Sequence, residues 1–165
     1  MKIEISKALI EDELLLANLL NLYLYDFSEW YGNAPDPEGR FEYEWLPSYF
    51  EDPKRTPLLI RADGEPAGFA LVKGEPRVGG PEETWDLTEF FIVRGLRRRS
   101  IGLQAASFVF ARFPGPWQVR AMDRNVGAAH FWTRAIRAHT ADAFTITPFK
   151  SEEGTAWQVF RFLQE

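Results

Sequence analysis

Two turn signals in the middle of the chain constrain its fold most. Asp63-Gly64 separates the apolar stretches Leu58–Arg61 and Gly68–Val72, and Gly79-Gly80-Pro81 separates the second of these from a longer one, Thr84–Val93. Aspartate followed by glycine tolerates the positive φ angles of a two-residue hairpin, so this spacing predicts three strands in succession. Upstream, Lys2–Ile5 alternates as a short strand, and a helix is predicted from about Glu11 to Tyr25. Glu11, Asp12 and Glu13 fall in its first turn, where the positive end of the helix dipole favours carboxylates. Tyr31–Arg40 contains Gly32, Pro35, Pro37 and Gly39 and reads as a loop; Tyr43–Phe50 reads as a short helix in spite of Pro47. Downstream come a helix over Ile101–Phe113, stopped by Pro114-Gly115-Pro116, a strand over Trp117–Ala121 and a helix over Val126–Arg137. A closing hairpin pairs Phe144–Phe149 with Thr155–Phe162 around the turn Ser151–Gly154. This order predicts a mixed α/β layout in which helices cover a central sheet.

A chain of 165 residues fits one domain, residues 1–165. At this length roughly 70% of the unfolded surface can be buried, and a hydrophobic content of 45% with 15% aromatics supplies the core. The absence of cysteine excludes disulfides, a thiol nucleophile and thiolate metal sites. His130 and His139 fall in no triad or metal spacing, so no metal is expected. The richest apolar stretch, Leu14–Tyr25, is interrupted by Asn18 and Asn21 and is shorter than the roughly 20 residues of a membrane span. The first residues alternate like a strand and lack the succession of a signal peptide, so a cytoplasmic protein with no membrane contact is expected.

The net charge of −5 conceals an asymmetry. Residues 1–93 carry 8 basic and 19 acidic side chains, whereas residues 94–165 carry 11 basic and 5 acidic. Such a division fits an anionic ligand near the later segment and a cationic one near the earlier, or two ordinary solvated faces.

The basic residues crowd at one turn. Arg94, Arg97, Arg98 and Arg99 follow a predicted strand and precede a predicted helix. Unpaired N–H groups at a helix N-terminus and the helix dipole favour an anion there, and a residue without a side chain admits a phosphate to the backbone. Ser100 is placed as the N-cap and Gly102 as the close-approach residue. By itself such a cluster serves a phosphate, a solvated turn or a nucleic-acid contact equally well. A second constellation, Asn125, Ala128, Phe131 and Trp132, places positions 125, 128 and 132 along one helical stripe. Read alone, it is an N-cap followed by core residues.

Together and in this order, the two constellations resemble the GNAT superfamily of acyl-CoA-dependent N-acyltransferases. Arg97-Arg98-Arg99-Ser100-Ile101-Gly102 is similar to the superfamily's pyrophosphate loop, and Asn125–Trp132 to its second motif. The resemblance implies a mixed, mostly antiparallel sheet of about seven strands with helices on both faces. It further implies acetyl-CoA between the fourth and fifth strands, its pantetheine arm alongside Phe90, Phe91 and Ile92 and its pyrophosphate on residues 97–102, with Asn125, Phe131 and Trp132 nearby. The reaction would be direct acetyl transfer to an amine in a ternary complex, in which the enzyme aligns the nucleophile and removes a proton. Two positions depart from the superfamily pattern. Ser100 stands where glycine is usual, with an expected strain of roughly 1 kcal/mol if φ is positive. Trp132 stands where a tyrosine often protonates the leaving thiolate, and an indole N–H is no useful acid.

For the base, Asp86 and Glu89 lie on the fourth strand, on opposite faces unless a bulge intervenes. Glu89 is favoured because it immediately precedes the pantetheine-binding backbone; Asn125 is the third candidate, positioning rather than reacting. The acceptor is expected to be a small-molecule or peptide amine, cationic, held by Tyr25, Asp26, Glu29 and Trp30, with Asp36, Glu38 and Tyr31 nearby. A catalytically silent acyl-CoA-binding module is the alternative, favoured by Trp132. Nucleic-acid binding is disfavoured by the acidic net charge and by the lack of a second basic cluster.

Overall fold

In the computed structural model, which describes residues 1–165, the three central strands form as the turns require. β2 (Arg55–Ala62) and β3 (Glu65–Lys73) are joined through Asp63 and Gly64, whose φ values of 51° and 85° are those of a tight antiparallel hairpin. β4 (Trp85–Ile92) pairs antiparallel with β3, and β1 (Ile3–Lys7) with β2. After β4 the chain forms α3 (Ile101–Arg112), β5 (Gly115–Met122), α4 (Val126–Thr140), β6 (Phe144–Lys150) and β7 (Ala156–Gln164). The seven strands make one sheet in the order β1-β2-β3-β4-β5-β7-β6, antiparallel except for the β4–β5 pair. This is the architecture expected from the sequence.

Two elements differ from the sequence expectation. The first helix, α1, spans Glu13–Tyr31 rather than ending at Tyr25. Tyr23, Phe27 and Tyr31 lie four residues apart and their rings meet in pairs, 4.6 Å and 6.0 Å between centroids, so the apolar stripe carries the helix on. It stops at Gly32, which takes φ 70°. The second helix, α2, is only Ser48–Glu51, because Pro47 lacks the N–H that an extension would need. Residues 33–47 are consequently irregular and lie against α1, where Asn21 Oδ1 accepts a 2.6 Å hydrogen bond from the Phe41 N–H.

The helices cover the sheet on both faces. Trp117, Phe110 and Phe160 are fully buried beneath α3 and α4, whereas Leu16, Leu20, Phe69 and Leu71 form the core beneath α1. Truncating Phe110 to alanine would cost about 3–5 kcal/mol. No helix is long and apolar enough to cross a membrane.

Candidate active site

β4 and β5 touch only where they begin. Trp85, Asp86 and Leu87 pair with Trp117, Gln118 and Val119, and beyond these three rungs the strands part. At the same level β4 is bulged: Leu87 lies opposite Val72 and Glu89 opposite Leu71, leaving Thr88 as an extra residue. Asp86, opposite Lys73, therefore shares a face with Glu89, since Lys73 and Leu71 are two positions apart on β3. Gln118 and Arg120 of β5 occupy that face too, the one covered by α1.

Glu89 is half-buried and held by two phenols. The Tyr23 hydroxyl donates to Oε2 at 2.5 Å and the Tyr43 hydroxyl to Oε1 at 3.1 Å. Burial pushes its carboxyl above the usual glutamate value, a shift that the hydrogen bonds from Tyr23 and Tyr43 and the charges of Arg120 and Arg77 only partly offset. Burial likewise raises both phenols. Tyr23 reaches the site from the buried stripe of α1, and Tyr43 from the irregular segment before α2. Asp86 is different. It is wholly buried, and Oδ2 takes one 3.4 Å contact from Arg120 Nη2 while Oδ1 has no partner. Burial raises its carboxyl, and Arg120 opposes that shift. Arg120 stacks on Trp157 at 5.5 Å. Of the two candidate carboxylates, Glu89 alone has exposed surface.

The arginine turn follows β4. Arg98 and Ser100 both have φ 62°, so the strain expected at Ser100 is present. Ser100 occupies the N-cap of α3 without a capping bond, because a left-handed backbone does not present the side chain as the usual extended N-cap does. Ile101 is buried, and a Cβ on Gly102 would lie 3.1 Å from Phe131 Cε2. Phe131 in turn stacks on Phe90, 5.8 Å between centroids. Trp132 is a core residue, 6% exposed and edge-on to Phe90 at 5.1 Å. Phe91 is buried on the α1 face, and Ile92 packs with Ile101. Asn125 caps α4, its Oδ1 accepting from the Ala128 N–H at 3.0 Å.

Of the residues expected to hold the acceptor, Asp26 is paired within the chain. Asp26 Oδ1 accepts from Arg94 Nε and Nη2 at 3.0 and 2.7 Å, and Oδ2 from Arg97 Nη2 at 2.7 Å. Burial raises the Asp26 carboxyl, but the two guanidinium groups prevail and hold it below its usual value. Arg97 also donates to the Ile92 carbonyl at 2.7 Å and lies over the Phe91 ring. Tyr25 and Glu29 are exposed. Trp30 packs edge-to-face on Phe27. Asp26 is thus matched within the chain at the arginine turn, while Arg98 and Arg99 remain exposed and unpaired. Sequence reasoning missed Tyr23, Tyr43 and Arg120. The one available signal was a phenol on the buried stripe of α1, since a buried hydroxyl requires a partner.

Three solved structures are similar to the chain in fold. A spermidine N-acetyltransferase from Vibrio cholerae, in complex with CoA and spermine, matches with a TM-score of 0.71 at 11% identity, over 98% of this chain and 95% of that one. An aminoglycoside acetyltransferase in complex with coenzyme A matches with a TM-score of 0.69 at 14% identity, over 96% and 94% of the two chains. An acetyltransferase from Thermus thermophilus gives 0.66 at 17% identity, over 96% of each chain. No curated protein sequence matches. The family model described as the acetyltransferase (GNAT) family matches residues 16–136, well over half of the chain. The chain belongs to the GNAT acetyltransferase family.

Proposed function

We propose that this protein transfers an acetyl group from acetyl-CoA directly to a primary amine, with Glu89 taking the amine's proton. The reading is carried by Glu89: a half-buried carboxylate, tied to Tyr23 and Tyr43, just past the point where β4 and β5 part. An ordinary carboxylate is a poor base for an ammonium group, and raising its pKa toward the working pH improves the transfer. Acetyl-CoA supplies the activated acetyl group. The residues present fit it: the exposed Arg98 and Arg99 and the uncapped start of α3 make a cationic cradle for a diphosphate, while the missing side chain of Gly102 makes room for Phe131. Phe90 and Ile92 lie along the parted edge of β4, where the pantetheine arm would run. Asp86 is wholly buried and meets Arg120 only at 3.4 Å, so Glu89 is the better placed of the two carboxylates.

The core position of Trp132 does not argue for a silent binding module. A thiol is far more acidic than an alcohol or an amine, so a thiolate can leave without a dedicated acid. One structural neighbour is in complex with spermine, an amine, which supports an amine acceptor. The test is release of CoA thiol by the purified protein across a broad panel of amines. Amine-dependent release is expected. Tight acetyl-CoA binding with no release from any amine would instead support the silent module.

A further inference from the structure

We propose that the acceptor amine also carries an anionic group, which Arg77 and Arg120 recognise. The inference rests on the reading of Glu89 as the base and narrows the acceptor class.

Three of the acidic residues in the first half of the chain are engaged away from Glu89. Asp26 is taken by Arg94 and Arg97. Asp36 Oδ1 accepts from the Glu38 and Arg40 N–H groups, and the Arg40 guanidinium lies 3.6 Å from Asp36 and 3.9 Å from Glu38. Asp26, Asp36 and Glu38 are therefore engaged by cationic or backbone partners of their own.

The face that Glu89 shares with β5 is cationic instead. Gln118 fastens the segment between β3 and β4 over this face: its Oε1 accepts from the Arg77 and Val78 N–H groups at 3.2 and 3.0 Å, and its Nε2 donates to the Val78 carbonyl at 2.7 Å. Arg161 Nη2 donates to the same carbonyl at 2.8 Å. The backbone of Arg77 is thereby fixed above the strand that bears Arg120, while its side chain is exposed and forms no ion pair. Arg120 is 8% exposed; its only ion pair is the long one to Asp86, and its Nε has no partner. Arg120 thus brings to this face a guanidinium that Asp86 holds by one long contact, and Arg77 brings an unpaired one on the segment fastened above it; guanidinium forks suit a carboxylate or phosphate. Their charges bear on Asp86, on Glu89 and on the Tyr31 hydroxyl at the end of α1; Glu153 reaches Tyr31 more weakly than either.

Such a chamber also assists the chemistry. Nearby cations disfavour an ammonium and lower the pKa of a bound amine, which must be neutral to attack. An anion elsewhere on the same molecule offsets the repulsion that a simple cation would meet.

The experiment compares matched acceptors by CoA thiol release: phenylalanine against phenylethylamine, alanine against ethylamine, and 2-aminoethyl phosphate against ethanolamine. At least one member with the additional anion is expected to exceed its partner in kcat/KM by 100-fold or more, and the carboxylate and phosphate arms separate the two anions. Arg77→Glu should cut that preference at least tenfold through KM, with acetyl-CoA affinity unchanged by calorimetry. Turnover in which partners lacking the anion do as well or better, or a preference untouched by Arg77→Glu, would overturn the proposal while leaving Glu89's role intact. Absence of turnover with every amine would remove the reading on which it rests.

Discussion

The Tyr23 hydroxyl donates a 2.5 Å hydrogen bond to Glu89 Oε2 from a helix 66 residues earlier in the chain. That bond favours the ionised carboxylate and opposes the rise that burial imposes. Tyr23→Phe removes the donor and keeps the ring, so the carboxyl pKa climbs further. The acid limb of the kcat/KM–pH profile should move to higher pH, with a smaller change in the plateau; an unmoved limb would separate Tyr23 from the base.

Glu89 also gives stability a pH dependence of definite sign. Its folded pKa lies above the unfolded value of about 4.5, so the native state binds the proton more tightly and stability declines as pH rises through that window. Glu89→Gln abolishes this contribution. Thermal melts from pH 4 to pH 8 should show a flatter profile for the variant, with Tm at pH 7.5 equal to or above that of the parent.

Asp26 has the opposite sign. Its carboxyl is held below 3.8 by Arg97 and Arg94, so the stability it contributes is present above about pH 4 and is lost as pH falls through the depressed value. Arg94 and Arg97 are 69% and 41% exposed, and solvent screening keeps the effect small. Asp26→Asn should cost about 1 kcal/mol or less at pH 7, and the gap should close in acid, as read by urea denaturation at several pH values.

Ser100 carries φ 62°, and its side chain makes no capping bond to offset the strain. Ser100→Gly relieves strain of roughly 1 kcal/mol, part of which returns as added freedom in the unfolded chain. A rise in Tm of a few degrees is expected, without loss of acetyl-CoA binding by calorimetry.

Local signals were legible and distant partners were not. Asp63-Gly64 announces its hairpin because the φ angles are demanded by two adjacent residues. The arginine turn was readable for the same reason: its residues act together within one short segment. The bulge at Thr88 was not readable, since it is a matter of register against Val72 and Leu71 on another strand. It nevertheless brings Asp86 and Glu89 to one face. Asp26 looked like a counter-ion for an amine because its partners Arg94 and Arg97 lie 68 and 71 residues away. Tyr43 was hidden by the helix predicted through Pro47, and the shortness of α2 leaves it free to meet Glu89.

The most direct test pairs binding with chemistry in Glu89→Gln. Acetyl-CoA affinity, measured by calorimetry, should match the parent, while the rate of amine-dependent CoA release should fall by about 100-fold or more. A variant that binds the donor normally and releases CoA at the parent rate would contradict the assignment of Glu89 as the base.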